Sequence, residues 1–291
     1  MAARIQVPVD PLREAEFDRA FELLRGLVDG SAIDREFPPR ENAVYISSVV
    51  LWMLVSQRMN PAGSLEATVQ RLLDSQHDFL PPNKRVLEQT LSAGTGSYSR
   101  ARSRLPRRAA EWFARHVSQA LIESSPPSWD GRRVYLIDGT TITRAPEPAL
   151  RREFPPASNQ HGPGVWPVAL LVVAQELSSG AALLPAVGAM YGEQAVSETA
   201  LVRELFRQRP ADGIVLADAG FGIFAGAWEA EQVGRDFVLR LTKQHFRALR
   251  RHATVVEQQA NSTTYSLTWC PSAKERAAHP DLPDDAVLEM R

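Results

Sequence analysis

Two short stretches hold residues whose types and spacing could do chemistry. In Arg133-Val134-Tyr135-Leu136-Ile137-Asp138-Gly139-Thr140-Thr141-Ile142, apolar residues run into a carboxylate, a glycine and two threonines. Gly213-Ile214-Val215-Leu216-Ala217-Asp218-Ala219-Gly220-Phe221 has the same shape. Each reads as a buried strand that delivers an aspartate to the rim of a sheet. If the two rims coincide, the carboxylates repel, and each loses hydration if buried. A divalent cation relieves both costs. Mg²⁺ takes hard oxygen ligands, usually one or two carboxylates with water and phosphate. Two such ions can activate a water or a 3′-hydroxyl and stabilise the leaving oxygen of a phosphodiester. Asp138 and Asp218 are therefore the candidate catalytic and metal-binding residues, with Mg²⁺ as cofactor and Mn²⁺ as its substitute. The small residues beside them (Gly139, Thr140, Ala219, Gly220) leave room for a sugar-phosphate backbone. Taken singly, each aspartate also has a structural reading: Asp-Gly is a turn signal, and Asp218 can cap a following helix.

The elements that must bring these residues together follow from periodicity. Residues 11 to 30 carry Phe17, Phe21, Leu24 and Val28 at helical spacing. A second helix is predicted from Ala43 to Arg58, stopped by Asn60-Pro61. A third is capped by Ser64 and a short one opens after Pro81-Pro82. Ser97 can cap a helix that Pro106 splits from another running to about Glu123. Residues 1 to 128 thus read as a helical region, and Ser124-Ser125-Pro126-Pro127 as the linker. From 129 the texture turns to strands: 133–142, 166–177 and 181–190, with a hairpin turn at Ser178-Ser179-Gly180. A helix over 193–209, a strand over 214–218, a helix over 221–233 and a strand over 237–241 follow. A polar, Pro-rich segment fills 144–164. More strands are expected near 254–256 and 263–269, so a β-rich insertion is placed from about 243. An antiparallel meander feeding parallel crossovers gives an α/β (α+β) class: a mixed sheet flanked by helices, behind a helical N-terminal region. In such a sheet the first strand and the one ending at Asp218 can lie side by side and point the same way.

Charge adds two surfaces. Arg100, Arg102, Arg104, Arg107 and Arg108 lie in a stretch without an acid, as do Lys243, Arg247, Arg250 and Arg251 with Arg240, His245 and His252. Both are candidate phosphate contacts, which confer affinity without reading sequence; for the first, a solvated helix face is the competing reading. His161 sits in a loop where it can face the site or only solvent. Trp112, Trp166 and Trp228 are expected in the core.

Composition bounds the rest. A net charge of −1 over 291 residues excludes a global basic field. The single cysteine, Cys270, excludes an intrachain disulfide and a cysteine-rich zinc site. The N-terminal ten residues hold no long apolar run, and the longest apolar stretch, Val165 to Ala174, contains Pro167 and is too short to span a bilayer. No membrane partner is expected.

Several motifs together resemble the IS4 family of DDE transposases, within the ribonuclease-H-like superfamily. They are Leu136-Ile137-Asp138-Gly139-Thr140-Thr141 and Val215-Leu216-Ala217-Asp218-Ala219-Gly220-Phe221, with Phe154-Pro155-Pro156 and Gly164-Val165-Trp166-Pro167 between them. Upstream, Val44-Tyr45 through Leu51-Trp52 to Gln57, and Thr95-Gly96-Ser97-Tyr98-Ser99-Arg100-Ala101-Arg102, resemble that family's helical region. The resemblance implies a ribonuclease-H-like sheet with Asp138 and Asp218 as the first two metal-binding carboxylates. It implies metal-dependent phosphodiester hydrolysis and strand transfer at transposon ends. The partners would be double-stranded DNA, as terminal inverted repeats and target, and a second copy in a synaptic complex, in the bacterial cytoplasm at the nucleoid. It also implies Lys243 near the DNA end. Two departures stand out. Ala219 replaces a basic residue, and no Tyr-x-x-Arg-x-x-x-Glu-x-x-x-x-x-x-Lys pattern carries the third carboxylate. The chain is accordingly expected to stop within the β-rich insertion and, lacking the third carboxylate, to be inactive or only partly active; a DNA-binding protein without cleavage is the alternative activity.

Overall fold

The computed structural model describes residues 11–60, 63–75, 80–160, 162–207 and 213–291. The chain divides into two compact units, Met1–Leu121 and Ile122–Arg291. The first is helical: α1 (Pro11–Gly26), α2 (Gly30–Glu36), α3 (Ser47–Met59), α4 (Leu65–Ser75), α5 (Lys84–Leu87), α6 (Gly96–Arg104) and α7 (Arg107–Ser124), whose last turn enters the second unit. Helix α3 is the axis of this unit. Its consecutive residues Val49, Val50, Leu51, Trp52 and Met53 are all buried, as expected of a helix wrapped by others. Trp52 meets Phe21 and Phe113 edge-to-face, at 5.9 and 4.8 Å between ring centres. On α3's other side Val49, Val50 and Met53 pack with Val69, Leu72 and Tyr98. The helix predicted over 11–30 stops at Gly26. Asp29 then accepts the Ser31 backbone N–H at 2.9 Å and starts α2 where the predicted helix was to end. Ser64 caps α4 as predicted, accepting from Ala67 N–H at 3.0 Å.

The second unit is built on a mixed sheet. Its strands are β1 (Val134–Thr143), β4 (Val168–Glu176), β5 (Ala186–Ala189), β6 (Ile214–Ala217) and β7 (Asp236–Leu239), in spatial order β5-β4-β1-β6-β7. β4 runs antiparallel to both β1 and β5, whereas β6 is parallel to β1 and β7 is parallel to β6. This is the α/β class with a mixed sheet expected from the element order. Helix α9 (Glu198–Arg207) covers one face: Leu201, Leu205 and Phe206 pack on Ile137, Val172, Val215 and Ala217. Helix α10 (Phe224–Gln232) joins β6 to β7. The opposite face is less covered. Leu136, Val173 and Leu216 are half-buried there, and Val187 and Val238 are exposed.

The polar segment after β1 holds a short helix, α8 (Pro148–Glu153), and two two-residue strands, β2 (Ser158–Asn159) and β3 (Gly162–Pro163). After β7 come α11 (Lys243–Arg250) and a separate three-stranded sheet of β8 (Thr254–Gln258), β9 (Thr263–Trp269) and β10 (Leu288–Met290), with α12 (Ala273–Ala278) between β9 and β10. Trp269 is buried against Phe224 of α10, ring centres 5.6 Å apart. Trp112 and Trp228 are half-buried against apolar clusters. Trp166, expected in the core, is 56% exposed. It precedes the first pair of the β1/β4 ladder, Thr143 with Val168, and so lies outside the sheet that would bury it. No helix among the described residues is long and apolar enough to cross a membrane.

Candidate metal centre

Hydrogen-bond register fixes where the two aspartates sit. The parallel ladder of β1 and β6 closes with Ile137 opposite Ala217. Asp138 and Asp218 are the next residue on each strand, so they stand side by side where β6 ends. Neighbouring strands are about 4.8 Å apart, which brings the two backbones that close. β1 itself does not end at its aspartate. It continues, paired with β4, to Thr143. The rim is made by β6 stopping, not by β1 stopping. Alternation along β1 puts Asp138 on the half-covered face, opposite the α9 side on which Ile137 packs.

Both carboxylates are exposed, and neither forms an ion pair among the described residues. Asp138 Oδ1 accepts the Gly139 N–H and Asp218 Oδ1 accepts the Gly220 N–H, each at 2.8 Å. The Asp218 bond is a local turn, and Asp218 does not cap α10, whose N-cap is Ile223. One oxygen of each aspartate is thus held by backbone. The donor set is hard and anionic, which suits Mg²⁺ or Mn²⁺. Among the described residues no group of three or more His, Cys, Asp or Glu is placed to hold a metal ion.

No protein-family model matches this chain, and no curated protein matches it significantly. The functional reading rests on the geometry of the rim and its surroundings.

One carboxylate near the rim escaped the sequence reading. Glu198, at the first turn of α9, lies directly over Gly139: a Cβ on that glycine would stand 2.2 Å from Glu198 Oε1 and 2.6 Å from its Cδ. Ser197 starts that helix by accepting from Ala200 N–H at 3.2 Å. The helix predicted over 193–209 thus starts at Glu198, and the nearness of that residue to β1 was not legible in sequence, because it depends on how α9 crosses the sheet.

The loop after Asp218 is pinned from two sides. A Cβ on Gly222 would lie 2.2 Å from the Arg240 carbonyl oxygen, so only glycine lets the loop rest on that strand end. The Arg240 N–H donates to Ala217 O at 3.0 Å. His245 of α11 reaches Gly222 O through Nδ1 at 3.0 Å, its ring 5.2 Å from that of Trp269. Glu275 of α12 accepts the Phe224 N–H at 3.0 Å through Oε1, while Oε2 accepts from Ser272 N–H and hydroxyl. Burial by itself raises the Glu275 carboxyl, but the N–H groups of Ser272 and Phe224 and the Ser272 hydroxyl outweigh it. With nearby His245 they hold it below the ordinary carboxylate range.

The same contacts place the second basic stretch beside the Asp218 loop. Helix α11 turns His245 and Leu249 inward and leaves Lys243, Arg247 and Arg250 exposed, with Arg251 after them. The helix holds no acid, and the Arg250 guanidinium stacks 5.5 Å from the Tyr265 ring centre. In the helical unit Arg100, Arg102 and Arg104 are exposed on α6, and Arg107 and Arg108 open α7. Arg107 is committed to Glu111 at 2.6 Å and Arg102 approaches Gln57 at 3.4 Å. Cations in the first turn of α7 oppose its dipole, a cost that an anion would remove. His161 lies outside the described residues.

Proposed function

We propose that this chain is a DNA-processing protein of the IS4-like transposase type, built on a ribonuclease-H-like sheet. Its chemistry would be metal-dependent phosphodiester hydrolysis and strand transfer. The observation that carries this reading is the pairing of Asp138 and Asp218 at adjacent positions on neighbouring parallel strands in the middle of the sheet. Strand order and direction match the slots that the resemblance assigns to the first two carboxylates. Bound Mg²⁺ or Mn²⁺ would supply Lewis acidity and an activated water. Asp138 and Asp218 would hold it through the oxygens that backbone N–H groups leave open. Glycine at 220 and alanine at 219 keep the Asp218 side small, as an approaching phosphate would need. Lys243, Arg247, Arg250 and Arg251 would neutralise the neighbouring phosphates of double-stranded DNA, and the α6–α7 arginines a further stretch of it. A third carboxylate on a helix covering the Leu136, Val173 and Leu216 face would complete the site. Terminal inverted repeats and target DNA as substrates, a homodimer in a synaptic complex and a place at the bacterial nucleoid belong to the same reading.

The test is cleavage of DNA carrying the element's ends, with Mg²⁺ or Mn²⁺ against EDTA. Nicking that needs the metal and disappears in Asp138→Asn and in Asp218→Asn supports the reading; nicking retained in either variant overturns it. A second reading, DNA binding without cleavage, is favoured by one observation: no three ligands converge among the described residues. Metal-independent gel-shift binding with no nicking in either metal selects that reading.

A further inference from the structure

The helical unit holds a groove that the carboxylate chemistry does not use. It has a volume of about 630 Å³ and lies between the segment after α2 and helix α6. Phe37, Pro38 and Tyr45 form its apolar wall, and Arg40, Arg100 and Arg104 stand along it. All three arginines are exposed. None forms an ion pair among the described residues, and Arg100 donates only to the Ser97 hydroxyl at 3.3 Å. Glu36 is the sole acid among the described residues that line the groove. Tyr45 is half-buried, with its ring 5.8 Å from that of fully buried Tyr98, whose hydroxyl has no hydrogen-bond partner among the described residues.

We propose that this groove binds an unpaired stretch of DNA, with bases stacking against Tyr45 and Phe37 and phosphates meeting Arg40, Arg100 and Arg104. Charge complementarity selects a polyanion. The concave aromatic and proline wall selects one whose flat faces are free. A duplex hides its base faces in the stack and offers only phosphates to such a surface. Base–aromatic stacking tolerates any sequence because every base has a π-face. Free guanidinium groups beside stacking rings are the combination that single-strand binders use. The proposal goes beyond the cleavage reading and is independent of Asp138 and Asp218, so the two can fail separately.

The experiment uses the full chain in EDTA, which silences any metal-dependent step. Fluorescence anisotropy compares a labelled oligothymidylate of about 12 nucleotides, within the span of single-strand sites, with a duplex of equal length. Tyr45→Leu is expected to weaken the single strand roughly 5- to 100-fold, the range for loss of one stacked base, and to leave the duplex, held through its phosphates, unchanged. Tyr45→Phe retains the ring and is expected to bind as the parent does. The exposed pair Arg40→Gln and Arg104→Gln is expected to reduce the slope of log K against log salt by about 1.4, at about 0.7 per phosphate contact. Circular dichroism confirms that each variant is folded. Full single-strand affinity in folded Tyr45→Leu, or an equal loss of duplex affinity in that variant, overturns the proposal. So does displacement of the oligonucleotide by an equimolar polyglutamate peptide, which would make the groove an acidic-peptide site.

Discussion

Asp218→Asn isolates the electrostatics of the rim without requiring any catalytic assay. Asparagine keeps an Oδ1 that can accept the Gly220 N–H, so the loop geometry is preserved while the charge is removed. With backbones about 5 Å apart, the two carboxylates lie roughly 6 Å from each other. Their repulsion is then about 0.7 kcal/mol in bulk-water dielectric and about 3 kcal/mol at an effective constant near 20. Both groups are exposed, so a value near 1 kcal/mol applies. The second unit, residues 122–291, is of a size in which 1 kcal/mol shifts Tm by about 2–4 °C. In EDTA, Asp218→Asn is therefore expected to melt about 2–4 °C above the parent. Adding Mn²⁺ at tenfold its dissociation constant stabilises the parent by about 1.4 kcal/mol, through binding to the folded state alone. The variant lacks one of the two ligands and is expected to show little of that gain. Thermal unfolding followed by circular dichroism, with and without Mn²⁺, reads both effects. A variant that melts below the parent in EDTA, or gains as much from Mn²⁺, would refute the reasoning.

Gly139→Ala tests the approach of Glu198. A Cβ 2.2 Å from Oε1 must move that flexible side chain, at about 0.5–1.5 kcal/mol if it leaves its rotamer. Alanine in a strand offsets about 0.5–1 kcal/mol of this, so Tm should change by no more than a few degrees while the double variant Gly139→Ala with Glu198→Ala melts higher. Glu176 is buried at the β4 turn, where its Oε2 accepts from the Ser179 N–H and hydroxyl and Oε1 lies 3.7 Å from Arg133. Burial raises its carboxyl, but the Ser179 and Ser178 donors and Arg133 together hold it below its ordinary value. A depressed carboxyl stabilises the fold above the unfolded value near pH 4.3, and that contribution is lost as pH falls through the lowered folded value. Glu176→Gln should therefore cost about 1–3 kcal/mol in urea unfolding at pH 7, and the gap should narrow below about pH 4. Replacing Arg247 and Arg250 by Gln should weaken duplex binding evenly across sequences and reduce the salt slope by about 2; an unchanged slope removes α11 from the interface.

Much of this molecule was legible in local pattern. Four apolar residues before each aspartate predicted β1 and β6, and turn chemistry predicted the hairpin at Gly180, whose φ is +68°. The basic run after 240 was evident, although as charge and not as the helix it forms. Errors arose where neighbours decide. Trp166 looks like core by type, yet it falls just outside the ladder. The segment 11–30 looks helical throughout by spacing, yet the helix stops at Gly26 and Asp29 caps a new one. Trp52 and Trp269 could not be placed from sequence because their partners, Phe21, Phe113 and Phe224, come from distant segments.

By itself, then, the sequence determined which residues could be ligands and which strands carry them, because strand burial and turn preference act over a few residues. Only the tertiary structure decided that Asp138 and Asp218 are neighbours, that β6 stops where β1 continues, and that Glu198, His245 and Glu275 bear on the same rim and its loop. Those relations depend on strand order and helix crossing, which are set by packing between segments far apart in the chain.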